Sequence, residues 1–224
     1  MHAPAHLRSV TANKGSAAGI AASTVTGVST SAATSGAATG TVAGPDPFLR
    51  PQTSTRNKLA RVLWGVACLL LFRPSPRSLH AWRAFLLRCF GAKLGPNCHI
   101  YPGARIWAPW NLVCAEFAAI ADEAVVYNAA KVFLGSHAIV SQQAYVCTAT
   151  HDFDDPAFPM VVSPISIGAY AWVCARACVL PGVTLGDGAV LGLAAVATKD
   201  LEPWAVYAGN PARRIKQRRR QTVA

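Results

Sequence analysis

The chain has 224 residues, of which 52% are hydrophobic and 14% charged, and 21 Lys and Arg against 10 Asp and Glu leave a formal net charge of +11. One main domain with its own core is the natural reading of this length. The longest apolar run is too short for the roughly 20 residues that a transmembrane helix needs, and the positive charge accompanies nothing that resembles a base-reading module, which argues against nucleic acid as the partner.

Residues 1–56 are dominated by Ala, Thr, Ser and Gly, with no aromatic residue before Phe48 and no apolar periodicity. Such a composition cannot bury enough surface to offset the entropy of ordering, so a disordered tail is expected. It lacks a basic start followed by a continuous apolar stretch and does not read as a signal peptide. Residues 57–91 carry VLWGVACLLLF (62–72), the turn Arg73-Pro74-Ser75-Pro76-Arg77 and LHAWRAFLLRCF (79–90). Two short amphipathic helices split by that turn are predicted. They serve either to cap the open end of the element that follows, covering a sheet edge, or to touch a membrane surface. Lys58, Arg61, Arg73, Arg77, Arg83 and Arg88 flank Trp64, Trp82 and Leu-rich faces, as peripheral membrane contact requires. The two roles can coexist.

Residues 92–212 carry a rhythm in which Ile167, Val173, Val179, Leu185 and Leu191 recur at a spacing of six. That period fits neither an amphipathic helix nor an alternating strand. A compact residue follows each at the fourth place, Ala171, Ala177, Val183, Ala189 and Ala195. Upstream the column continues through Leu94, Ile100, Ile106, Cys114, Ile120, Val126, Leu134, Val140 and Val146, with steps of eight before Cys114 and Leu134. This is the hexapeptide signature of a parallel β-helix solenoid. Each hexad forms a short strand and a turn, three hexads form a coil, and the inward aliphatics stack from coil to coil. Each fully buried Val, Leu or Ile contributes roughly 1.5–3 kcal/mol, and Ala and Gly are expected where the chain turns tightly.

Residues 213–224 include Arg213, Arg214, Lys216, Arg218, Arg219 and Arg220 and read as a basic tail, either solvated or in contact with phosphate. The seven cysteines contain no CxxC pair and several occupy hexad positions, so reduced, buried thiols are expected.

The rhythm breaks once, at a loop over 152–166, and His151 stands at its root. Loops on rigid scaffolds carry function disproportionately, and an imidazole with an ordinary pKa of about 6.5 can accept a proton from a hydroxyl at neutral pH. Asp152, Asp154 or Asp155 is a candidate to orient the ring, and any of them can instead be a turn residue.

The motifs LFRPSPR (71–77), FGAKLG (90–95), VVYNAAKV (125–132), THDFDDPAFP (150–159), PISIGAYAWV (164–173), VLPGVTLGDGAVLG (179–192) and ATKDLEPWAVYAGNPARRI (197–215) stand in a fixed order. Through them the chain, from about Asn57 to Gln217, resembles the hexapeptide-repeat O-acetyltransferases. It is similar to the colanic acid biosynthesis acetyltransferase group and, more distantly, to the maltose, galactoside and serine acetyltransferases. The resemblance implies an all-β solenoid, a left-handed parallel β-helix, assembled as a homotrimer with active sites between subunits. It implies acetyl-CoA as co-substrate, no metal, and direct acetyl transfer to a sugar hydroxyl with His151 as the general base. The acceptor it points to is an exopolysaccharide sugar or lipid-linked oligosaccharide, handled in the cytoplasm at the inner face of the membrane.

The resemblance also assigns single positions. Backbone amides near Ala175 of the adjacent subunit would stabilise the oxyanion. Asn128 matches an acceptor contact, with a turn former at a corner as the other reading. Trp172 matches a residue packed on the pantetheine arm, or else an intersubunit aromatic. Thr198, Lys199 and Arg213 fall in the cofactor-binding stretch, Lys199 and Arg213 being suited to phosphate. Ala115, Ala121 and Cys174 replace hexad glycines. Acetylation of a free sugar, a nucleotide sugar or an antibiotic, and a non-catalytic solenoid, are the alternatives. A zinc site is the last, although His99, His137 and His151, at spacings of 38 and 14, lack a His-x4-His pair.

Overall fold

A computed structural model describes residues 54–219. Residues 1–53 of the tail expected to be disordered, and the end of the basic segment, lie outside the described residues. Helix α1 (Thr55–Ala67) starts two residues before the expected boundary because Ser54 caps it, its Oγ accepting the Asn57 N–H at 3.3 Å. The chain continues through one wide π-type turn (Cys68–Phe72) and the Pro-containing turn into α2 (His80–Cys89).

Five complete coils follow. The first comprises β1 (Lys93–Leu94), β2 (His99–Ile100) and β3 (Arg105–Ile106), and the second β4 (Leu112–Cys114), β5 (Ala119–Ile120) and β6 (Val125–Tyr127). The third is β7 (Val132–Leu134), β8 (Ile139–Val140) and β9 (Tyr145–Cys147), after which a hairpin of β10 (Ala149–His151) and β11 (Met160–Val162) leaves the body. The fourth is β12 (Ile165–Ile167), β13 (Trp172–Val173) and β14 (Cys178–Val179), and the fifth β15 (Thr184–Leu185), β16 (Val190–Leu191) and β17 (Val196–Ala197). A partial sixth coil pairs Leu201 with Leu185 and ends in β18 (Ala205–Ala208) and β19 (Arg213–Gln217).

Corresponding strands pair in parallel to make three faces. Face A is β1-β4-β7-β12-β15, face B is β2-β5-β8-β13-β16-β18-β19 and face C is β3-β6-β9-β14-β17. The hexad aliphatics point inward as the rhythm requires, and Ile100, Ile120, Val140, Val173 and Leu191 form one buried column. Two hexad steps of eight add a third residue to the strands that follow them, β4 and β7, without shifting that column.

The small residues behave differently from expectation. Ala118, Ala138, Ala171 and Ala189 lie just inside the corners with no exposed surface, because a larger side chain would collide with the converging strands. The left-handed corner position itself is taken by Phe117, His137 and Tyr170 at φ of 57–58°. Their rings stack at 4.8 Å from coil to coil, matching the spacing of paired strands, which favours flat side chains there despite the backbone cost. Glycine is required where coils touch: a Cβ on Gly135 would lie 2.4 Å from the Ala169 nitrogen.

The two helices close the lower end. Phe72, Leu86 and Leu87 join the core beside Cys98 and Ile100, and Trp64 donates its indole N–H to the Ile106 carbonyl at 2.7 Å. Arg83 is wholly buried among the exposed carbonyls of the first coil and the proline turn. At the upper end, residues 213–217 of the expected basic tail form a strand. β19 pairs antiparallel with β18, and Arg218 turns back to donate to the carbonyls of Tyr170 and Gly188. The ladder leaves an edge that the seventh, reversed strand of face B covers. The seven cysteines are free, but only Cys98 and Cys114 are buried and Cys89 is exposed. Burial pushes the Cys98 and Cys114 thiols up, so these two are packing residues.

Candidate active site

The break at residue 152 is an arm with its own register rather than a loop up to 166. Ala149 pairs with Val162, Thr150 with Val161 and His151 with Met160, and Ile165 already belongs to the next coil. Thr148 anchors the root of the arm, donating its N–H and its hydroxyl to the Tyr127 carbonyl at 3.0 Å each. His151 is half-buried at the end of β10, with its ring stacked on Phe158 at 4.5 Å and 8°.

The Nδ1 atom of His151 lies 3.0 Å from the Phe158 carbonyl oxygen. A carbonyl can only accept, so Nδ1 carries the proton and the neutral ring presents a bare lone pair at Nε2. The group on Nδ1 is therefore this backbone carbonyl, and of the two readings of the aspartates the geometry fits that of turn residues. Asp152 Oδ1 accepts the Asp154 N–H at 3.1 Å and Asp155 Oδ1 accepts the Ala157 N–H at 2.8 Å, so both shape the turn that delivers the carbonyl. Asp154 is exposed on that turn.

Of the two readings of Asn128, acceptor contact and corner residue, the structure fits the second, at the corner after β6. Its side chain is completely buried, with Oδ1 accepting the Ala108 N–H at 2.9 Å and Nδ2 donating to the Ala108 carbonyl at 2.7 Å. The amide splices the backbone where the wide corner of the first coil leaves Ala108 without a strand partner. Asn128→Ala is expected to lower stability by about 1–3 kcal/mol, since it strands the Ala108 N–H and leaves the Ala108 carbonyl only the Asn111 N–H, at 2.9 Å. Urea denaturation measures this, and an unchanged midpoint would contradict it.

The remaining candidates divide between faces. Thr198 and Lys199 are exposed at the corner after β17, on the same C-to-A edge as the His151 arm, two coils higher. Trp172 is 43% exposed on face B and donates its indole N–H to Ser141 Oγ at 2.8 Å. Ala175 lies at the B-to-C corner, and Arg213 is exposed on β19 at the edge of face B. One chain thus aligns His151, Thr198 and Lys199 and leaves Trp172, Ala175 and Arg213 away from them. His137 is held between the Phe117 and Tyr170 rings, remote in register from His151. Among the described residues no group of three or more His, Cys, Asp or Glu is placed to hold a metal.

No protein-family model matches the chain. WcaF of Escherichia coli (strain K12), provisionally assigned as a colanic acid biosynthesis acetyltransferase, is 39% identical over 162 residues, which cover 72% of this chain and 89% of WcaF. The chain belongs to the hexapeptide-repeat acetyltransferase family.

Solved structures share the acetyltransferase's fold. A maltose O-acetyltransferase from Clostridium difficile 630 superposes with a TM-score of 0.67 at 24% identity, over 75% of this chain and 90% of that one. A hexapeptide-repeat acetyltransferase of Vibrio cholerae, crystallised with acetyl coenzyme A, gives 0.67 at 22% identity over 76% and 93%.

Two features of this acetyltransferase escaped the sequence reading. The Phe158 carbonyl is backbone and carries no residue signature. A cleft between α1 and face C gathers Arg61, Arg73, Arg105, Trp107 and Tyr127. The Trp107 and Tyr127 pair, twenty positions apart like other residues one coil apart, is the one signal that foreshadows it.

Proposed function

We propose that this acetyltransferase moves the acetyl group of acetyl-CoA directly to a hydroxyl of an exopolysaccharide sugar, with His151 as general base. The observation that carries the reading is the fixed Nδ1–H tautomer of His151, which aims an unprotonated Nε2 away from Phe158. Nε2 takes the hydroxyl proton as the sugar oxygen attacks the thioester carbonyl. The tetrahedral intermediate then collapses, the C–S bond breaks, and the imidazolium returns the proton to the departing thiolate. The products are the O-acetyl sugar and the CoA thiol, and no acyl-enzyme forms.

The other residues act from a second copy. Trp172 flanks the pantetheine arm, amides near Ala175 meet the oxyanion, and Thr198, Lys199 and Arg213 face the nucleotide end, where the two cations suit phosphate. Their distribution over different faces supports a site completed between subunits of a homotrimer. Phe153, 79% exposed on the arm, with Val161 and Val162 offers such a neighbour an apolar surface. In this reading 57–91 caps the solenoid and 92–212 forms the catalytic domain. No described helix is long and apolar enough to cross a membrane, and acetyl-CoA places the reaction in the cytoplasm, at the inner face of the membrane.

Calorimetric titration of acetyl-CoA tests the cofactor half without an acceptor. Saturable binding is expected for the wild type, and Trp172→Ala is expected to weaken it roughly tenfold, about 1.4 kcal/mol, as loss of one aromatic packing partner implies. Folded protein that does not bind acetyl-CoA would overturn the reading.

A further inference from the structure

Helix α1 and the wide turn that continues it have their apolar stripe on the wrong side for a core helix. Leu59, Val62, Leu63, Val66, Leu69 and Leu70 recur at helical spacing and are 52–63% exposed, whereas the helix rests on the body through Trp64. An apolar stripe normally faces the core, and a contiguous exposed one marks an interaction surface. Trp82 and Phe85 of α2, stacked at 5.8 Å, are 38% and 53% exposed.

The opposite flank of the same helix is cationic and aromatic. A cleft of about 500 Å³ lies between α1 and face C and is lined by Arg61, Arg73, Arg105, Trp107, Tyr127 and Leu69. Arg61 lies 4.4 Å over the Trp107 ring, and its buried Nε has no hydrogen-bond partner. The ion pairs among the described residues, Arg77 with Asp122 and Arg214 with Glu202, use none of the three cleft arginines. Three uncompensated guanidinium groups fit a ligand with more than one negative charge, and their forked donors match phosphate oxygens. Leu69 belongs both to this cleft and to the exposed stripe, so the anionic ligand would continue into hydrocarbon. Tyr127 is hydrogen-bonded through its carbonyl to Thr148, the root of the His151 arm, so the cleft opens one coil below the proposed base.

We propose that the cleft and stripe together bind an acceptor sugar carried on a long-chain lipid diphosphate. The arginines grip the diphosphate, Trp107 and Tyr127 flank the first sugar, and the α1 stripe lies in the bilayer that holds the lipid tail. This inference rests on the acetyl-transfer reading and names its acceptor class.

The test is co-sedimentation of the full chain with phosphatidylcholine vesicles carrying either polyprenyl diphosphate or, at matched charge, phosphatidylglycerol. Acetyl-CoA titration of the same preparations and a soluble arm with UDP-glucose complete it. The wild type is expected to bind the polyprenyl-diphosphate vesicles roughly ten- to a hundredfold more tightly than the phosphatidylglycerol vesicles, as charge-assisted phosphate contacts imply. The Arg73→Gln/Arg105→Gln variant is expected to lose that preference, and Leu63→Asp/Leu70→Asp to lose both kinds of vesicle, with acetyl-CoA binding kept in each. Equal binding to both anionic vesicles would reduce the face to unspecific membrane contact and overturn the proposal. Arginine-dependent binding of UDP-glucose as tight as that of the lipid would overturn it in favour of a soluble acceptor. Absence of vesicle binding would overturn it too, leaving the stripe to a second copy or to residues 1–53. Loss of acetyl-CoA binding by the wild type would fail the acetyl-transfer reading itself.

Discussion

His151→Ala is expected to lower kcat by about 10²- to 10⁴-fold, the usual contribution of a positioned general base. The ring is set by two contacts that do not depend on substrate, the Phe158 carbonyl on Nδ1 and the Phe158 ring on its face. An alanine removes the proton acceptor and leaves a hairpin whose register rests on backbone pairing, so the fold and acetyl-CoA affinity should survive. His151→Gln sharpens the comparison, because an amide can donate to the Phe158 carbonyl but cannot take a proton from a hydroxyl. Release of CoA thiol in the presence of a turned-over acceptor measures both variants. Near-wild-type turnover in either would remove His151 from the proposed mechanism, and a matching loss of acetyl-CoA binding would make its role one of structure.

Arg83→Met is expected to destabilise the protein by about 3–5 kcal/mol, since it removes four hydrogen bonds from a charged donor, each worth roughly 1.5–3 kcal/mol before water and the Leu79 N–H at the Pro76 carbonyl offset part of the loss. The guanidinium has no exposed surface, and it donates to Ile100 O at 2.6 Å, to Ser75 Oγ and Pro76 O at 2.8 Å and to Arg77 O at 2.7 Å. Those carbonyls belong to the first coil and to the proline turn, so a single side chain ties the helical cap to the open end of the solenoid. Methionine matches the volume and satisfies none of them. Arg83→Lys should recover only part of the loss, because one ammonium cannot reach the acceptors that a planar fork spans. Urea denaturation of the full chain reads the effect as a shift in midpoint. A midpoint within error of the wild type would mean that water satisfies these carbonyls equally well.

The solenoid was legible because a repeat makes long-range packing local: each inward aliphatic announces its place by the spacing to the next, and neighbours in space are one coil apart in sequence. His151 was legible as the point where that spacing fails. Whether an aspartate orients His151 or shapes its turn was open in the sequence, and Asp152 and Asp155 satisfy backbone N–H groups of their own turn. Asn128 stayed open between two readings for a related reason. Its residue type suits a sugar as well as a peptide, and only the partner Ala108, one coil below, distinguishes them. The segment 213–217 looked like a tail because strand β19 has all five residues exposed and so carries no apolar alternation.

Residue spacing alone determined the coil architecture, the identity of its core column and the position of the arm, because those follow from a period that stacking must respect. Tertiary structure decided which groups meet the imidazole, which way α1 turns its apolar stripe, and that Arg61, Arg73 and Arg105 share one cleft with Trp107 and Tyr127. Backbone carbonyls have no residue code, a helix of this composition has two faces that could each have been buried, and side chains separated by a helix and a coil converge only when the chain is wound.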